Sequence, residues 1–177
     1  MLMASSTNGS VASERVNVKT ARRRLVVYSS LSDFAKDLDR VEHAHVSGTL
    51  RQLGNRKPGP IFGHLAVSMR GSIEGMNALK SAAPLWLRLV GPFAKKRVLS
   101  GPLRPGVNLS SAAEAALWDD RLGFEHGLKD LRAQIVRIAK PGNEPKSAHP
   151  IFGKMSVQEW GTFHLRHSEL HMSFLQP

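Results

Sequence analysis

Apolar residues recur with a helical period in four stretches of the chain, and each stretch begins or ends with residues that favour a helix terminus. In the last of them, Val157, Trp160, Phe163, Leu170, Phe174 and Leu175 fall on one arc at about 100° per residue, behind Ser156 and Glu159 in the spacing of a capping box. This pattern predicts a helix over 156–175. Upstream, Leu31, Phe34, Ala35, Leu38 and Val41 follow Ser30 and predict a helix over 31–47. Ile61, Phe62, Leu65, Met69, Ile73 and Met76 follow a Pro- and Gly-rich turn and predict a helix over 60–77, because proline suits a first helical turn. Ser111 and Glu114 make a second capping box, and Leu117, Leu122, Phe124, Leu128, Leu131, Ile135 and Ile138 carry the pattern onward. A third main helix over 111–139 is therefore expected, kinked between Trp118 and Gly123.

Between the second and third of these, residues 77–109 are interrupted too often by Pro and Gly for one long element. The natural reading is a crossover connection holding short helical pieces and acting as a lid over the bundle end. The fold class expected is all-α, a four-helix bundle with a long crossover connection. Residues 1–15, rich in Ser, Ala and Asn, read as a disordered tail, and 16–177 as a single domain entered through an extended lead-in at Arg22–Tyr28.

The apolar arc of the last helix also contains His164, His167 and His171. A buried imidazole leaves a donor and an acceptor to satisfy, so three on one inward face need an explanation. His167 and His171 are one turn apart, the spacing at which two rings from one helix reach a single ion. A third ligand must come from elsewhere, and His64 borders the apolar face of the second helix. Core histidines bonded to backbone or to each other are the alternative. Ser68, Gly71 and Gly75 share the side of His64, and two helical glycines suggest either close packing or a pocket wall, with Ser68, Gly71 and Trp160 lining the pocket. His164 reads as a buried structural histidine, or as a partner or proton shuttle beside His167.

Composition narrows the chemistry. With 177 residues, 41% of them hydrophobic and 22% charged, the chain suits one soluble domain. No apolar run approaches the ~18 residues that would span a bilayer, and no signal-peptide h-region is present, so a cytoplasmic protein without membrane partners is expected. The absence of cysteine restricts any metal site to His, Asp or Glu. A formal charge of +11 raises nucleic acid as a partner, but the basic clusters at Arg22–Arg24 and Lys95–Arg97 lack interleaved aromatics for stacking bases. Nucleic acid is therefore not the favoured partner. No P-loop, dinucleotide fingerprint or nucleophile elbow occurs.

His64-Leu65-Ala66, Ser72-Ile73-Glu74-Gly75, Gly91-Pro92, Lys96-Arg97-Val98-Leu99, His149-Pro150-Ile151-Phe152-Gly153 and the run from His164 to Leu175 together resemble a bacterial family, domain of unknown function 1569 (DUF1569). That family is placed in the DinB/YfiT-like metalloenzyme superfamily. The resemblance covers about Val16 to Leu175. It implies a four-helix bundle binding a divalent metal, Zn, Ni, Fe or Mn, through His64, His167 and His171. It also implies a low-molecular-weight thiol as a small-molecule partner, by analogy with thiol-dependent transferases of the superfamily, with a homodimer left open. One departure is that Arg56-Lys57 stands where the family has a Trp-Ser-like pair.

Two functions from different classes follow. One is a metal-dependent transferase or hydrolase in which three imidazoles leave coordination positions for water or a thiolate. The other is a non-catalytic metal-binding or interaction module with a basic surface. Glu74, Glu159 and Glu169 are the acidic candidates near the histidines in sequence, with Glu159 and Glu169 expected on the polar side of the last helix.

Overall fold

At the start of three helices a serine hydroxyl accepts one of the first free N–H groups. The computed structural model describes residues 15–76 and 85–177, so residues 1–14 of the expected tail and residues 77–84 lie outside the described residues. Ser30 Oγ accepts the Asp33 N–H at 3.1 Å and opens α1, Leu31–Val46. Pro58 begins α2, Pro58–Glu74, and Gly75 ends it with φ +108. Gly75 is thus a terminal residue rather than an interior one. Helix α3 is Leu85–Leu99, α4 is Ser111–Leu117, α5 is Phe124–Ile138 and α6 is Val157–Met172. The capping box at Ser156 and Glu159 opens α6, with both reciprocal bonds made.

Three expectations are corrected. The stretch over 111–139 is two helices, because Trp118 is extended (φ −127, ψ 128) and residues 118–123 are a connection. Among the described residues of the crossover, the fifteen-residue α3 runs through Pro92 in place of the short pieces expected. Gly91 lets it pass, since a Cβ there would lie 2.2 Å from the Ile151 carbonyl oxygen. Finally, the last helix stops at Met172, and Leu175–Gln176 (β2) pairs antiparallel with Arg51–Gln52 (β1). The mainly helical, all-α class stands beside this short ladder.

Helix α2 is the central element, with twelve of its seventeen residues buried. Ile61, Phe62, Leu65, Ala66 and Met69 meet Phe34, Leu38 and Val41 of α1 and Leu128, Leu131 and Ile135 of α5 in the main core. Its approach to α5 depends on missing side chains. A Cβ on Gly127 would lie 2.4 Å from the Gly59 carbonyl oxygen, and one on Gly59 would lie 2.3 Å from that of Leu122. A second cluster gathers Met76, Trp160 and Phe163 with Val98, Leu99, Phe152 and Met155.

The end of α6 is anchored to the start of α2. Leu53 N–H donates to the Phe174 carbonyl at 2.8 Å beside the β1–β2 ladder. The lead-in segment closes the other side: Arg24 N–H and Nε donate to the carbonyls of Ser173 and Met172, favourable places for a cation at a helix C-terminus. The Arg24 guanidinium also pairs with the fully buried Asp37, which accepts the Tyr28 hydroxyl as well. Burial works to raise the Asp37 pKa, but these hydrogen bonds and the Arg24 charge hold it below the usual carboxylate value. Among the described residues, no helix is long and apolar enough to cross a membrane.

Candidate metal centre

With α6 fixed at its C-terminal end and α2 held beside it, His64, His167 and His171 face one point. His64 Nε2 lies 3.0 Å from His167 Nε2, and His171 Nε2 lies 3.1 Å from the same atom. All three ligand atoms fall within 4.8 Å of one another. Two nitrogens on one ion, each about 2.0–2.1 Å from it, are at most about 4.2 Å apart; the two short separations meet that limit, and the His64–His171 pair, within 4.8 Å, needs to close by no more than about 0.6 Å to share the ion.

Hydrogen bonding fixes the direction of the lone pairs. His64 Nδ1–H donates to the Leu117 carbonyl at 3.3 Å, which leaves its Nε2 as a bare acceptor facing His167. His167 Nδ1 is buried with no partner among the described residues. No proton placement satisfies that ring: a proton on Nδ1 is orphaned, and a proton on Nε2 leaves Nδ1 an orphaned acceptor. An ion at the convergence would take the Nε2 lone pairs and leave Nδ1 as it is, so what favours an ion is the close approach of the Nε2 atoms to one another. Burial is the main cause that drives the pKa of all three rings below the ordinary histidine value, to about 4 for His167 and well below it for His64 and His171. Mutual repulsion adds to the shift at His64 and His171. The rings are neutral at pH 7, as imidazole ligands must be.

A stack of three side chains supports His64. The Trp118 indole lies 4.0 Å from the His64 ring at 3°, and the Arg56 guanidinium lies 4.5 Å over Trp118 on the α4–α5 connection. Arg56 in turn pairs with Glu114 and Asp120. Arg56 therefore has a defined place, clamping α4 and Trp118 against the histidines. Nothing local in the sequence marks Trp118 or Leu117 as neighbours of His64. The break in helical pattern near Trp118 was the available signal, and it read as a kink.

The other candidates separate cleanly. His164 is buried, and its Nε2–H donates to Ser72 Oγ at 3.0 Å while that hydroxyl donates to the Met69 carbonyl. Burial drives its pKa down to about 3. It does not join the three converging histidines. Ser68 is buried and lines the cleft over them. Gly71 and Trp160 do not line it: Met76 packs against Gly71, where a Cβ would meet its Cγ at 2.6 Å, and Trp160 is fully buried with Nε1–H donating to the Ser147 carbonyl. Glu74 pairs with Arg137, and Glu159 with Lys95 and its own helix start. Glu169 is buried, contrary to the polar side expected for it, because the Tyr28 N–H and Arg166 both donate to it.

The cleft has a volume of about 1490 Å³ and opens over His64, His167 and His171. Phe93, Phe152, Phe163 and Phe174 give it apolar walls, and its charged lining is Arg56, Arg97 and Arg104 against Glu114. His149, from the turn before α6, lines it too. The family model described as Protein of unknown function (DUF1569) matches residues 20–177, and the chain belongs to that family. No curated protein and no solved structure matches it.

Proposed function

We propose that this DUF1569 member is a metal-dependent enzyme of the DinB/YfiT-like kind, holding one divalent ion, Zn, Ni, Fe or Mn, on His64, His167 and His171. The observation that carries the reading is the convergence of three neutral Nε2 atoms on the floor of an open cleft, with no fourth His, Asp or Glu joining them among the described residues. A structural site fills its sphere with protein ligands, whereas three ligands beneath a cleft leave room for a substrate atom. When bound, such an ion supplies Lewis acidity that makes a coordinated water or thiol nucleophilic near neutral pH. Ser72 supports the open site by occupying His164, the one histidine whose position on α6 could have closed the sphere.

In this reading α1, α2, α5 and α6 are the four helices of a bundle, α3 and α4 lie in its crossover, and 16–177 is one domain. The work falls to the residues described. His64, His167 and His171 bind and orient, Trp118 and Arg56 hold His64 in register, and the phenylalanine walls offer apolar contact to a small-molecule substrate. A low-molecular-weight thiol is the co-substrate we favour, in transferase chemistry, with hydrolysis as the other outcome at the same centre. The protein is taken to be cytoplasmic and able to work as a homodimer. Metal analysis of untagged protein purified anaerobically, followed by a thiol-transfer screen, tests this. One ion per chain with thiol consumption is expected. A protein that takes up no ion from an excess of any of the four metals overturns it.

A further inference from the structure

His149 belongs to none of the roles above, yet it lines the same cleft as the three converging histidines. Its ring has two distinct edges. Nδ1 accepts the backbone N–H groups of Ile151 at 3.1 Å and Phe152 at 3.2 Å, in a turn closed by paired backbone bonds between His149 and Gly153. An atom that accepts two N–H groups cannot carry a proton, so the turn fixes the tautomer with hydrogen on Nε2. That Nε2–H finds no acceptor among the described residues, and it is not one of the polar atoms sealed from solvent without a partner. The ring is held in place by Phe152 at 4.4 Å, Phe163 at 5.0 Å and Trp160 at 5.4 Å between centroids. Phe163 also stacks on His167 at 5.3 Å, which places His149 one aromatic ring away from the candidate metal ligand.

A rigid, neutral donor with no protein acceptor, at the wall of a cleft, is suited to a ligand oxygen. The charge of the lining indicates which kind. Arg56 is neutralised by Glu114 and Asp120, whereas Arg97 and Arg104 are exposed, line the cleft and have no ion-pair partner among the described residues. We propose that His149 is a substrate-contacting residue whose Nε2–H donates to a carboxylate oxygen of a small anionic substrate bound in the cleft beside the histidine centre. Burial drives the ring's pKa down to about 3, so it remains a neutral donor through the physiological range. The inference rests on the proposed site for its function, but not for its test.

The competing role is purely structural, with Nδ1 capping the 149–153 turn and nothing more. The substitution His149→Asn separates the two, because Asn Oδ1 can take the place of Nδ1 as acceptor for Ile151 and Phe152 while the distal donor is lost. Long-range 1H–15N correlation on histidine-labelled, zinc-loaded protein reads the tautomer directly, and acetate serves as the carboxylate probe. The expected result is a protonated Nε2 and a bare Nδ1 on His149 from pH 8 to pH 5, with an Nε2–H resonance that moves as acetate is added. His149→Asn should keep its melting transition and metal stoichiometry but bind acetate about tenfold more weakly, the loss of one charge-assisted hydrogen bond. A proton on Nδ1, a resonance unmoved by acetate, an Asn variant with parental acetate affinity, or an Asn variant that loses its metal would each overturn the proposal. Failure of the parent protein to bind metal counts against the metal reading alone. The tautomer and acetate measurements are then made on the metal-free protein, with the same outcomes deciding.

Discussion

Removing Trp118 tests whether the metal-binding geometry depends on residues that never touch the ion. The indole is half-buried between Arg56 and His64 and packs on the main core. Truncating a fully buried Trp costs about 3–5 kcal/mol, so Trp118→Ala, with half that burial, should cost about 2 kcal/mol. For a domain of this size that corresponds to a melting temperature lower by about 4–8 °C. The effect on the site is separate. Leu117, whose carbonyl orients His64 through Nδ1, is the neighbouring residue, and loss of the stack frees both the ring and its acceptor. Disturbing such an outer contact typically weakens metal binding by about 10–100-fold. Competition against a chromogenic chelator should therefore show about a tenfold higher Kd in Trp118→Ala, and a much smaller change in Trp118→Phe, which keeps an aromatic face against His64. A variant that melts lower yet binds metal like the parent refutes the argument, since α2 alone would then be fixing His64.

Asp37→Ala leaves the Arg24 guanidinium and the Tyr28 hydroxyl without their buried partner, and should destabilise by about 3–5 kcal/mol in chemical denaturation. Gly127→Ala drives a Cβ into the Gly59 carbonyl, a backbone atom that cannot step aside, and should cost about 3 kcal/mol by the same measurement. Stability of the metal-free protein should fall as the pH drops below the ordinary histidine value near 6.5. His167 at about 4, with His149 and His164 at about 3, stay neutral in the folded chain while their unfolded counterparts take up protons. The unfolded state then binds more protons, so each such histidine contributes a slope of about 1.4 kcal/mol per pH unit, positive with rising pH, across that window. Flat stability between pH 6.5 and pH 4 contradicts the burial of these rings.

The parts of this structure that were legible in sequence are those whose causes are local. The capping box at Ser156 and Glu159, the Ser30 cap and the 3.6-residue period placed α1, α2 and α6 within a few residues. The i, i+4 spacing of His167 and His171 put both on one face, and the border position of His64 did the rest. What was misread was set by distant contacts. Trp118 is extended because Arg56 and His64 hold its ring from either side. Leu175 is buried in a strand pair with Gln52 rather than on a helical face, and two residues are too few to show a period. Glu169 is polar on a helical wheel, but the lead-in segment folds over it and supplies the Tyr28 N–H. Pro92 suggested a break, although Gly91 beside it let α3 lie directly against the turn at Ile151.

The central claim is that His64, His167 and His171 hold an ion and that His164 does not. Metal content of His171→Ala and His164→Ala, reconstituted side by side and checked for helical signal by circular dichroism, addresses it most directly. His171→Ala should lose the ion, because only two of the three converging nitrogens remain. His164→Ala should retain one ion per chain, because its Nε2 is committed to Ser72. A folded His171→Ala protein with full metal content, or a folded His164→Ala protein without it, contradicts the account.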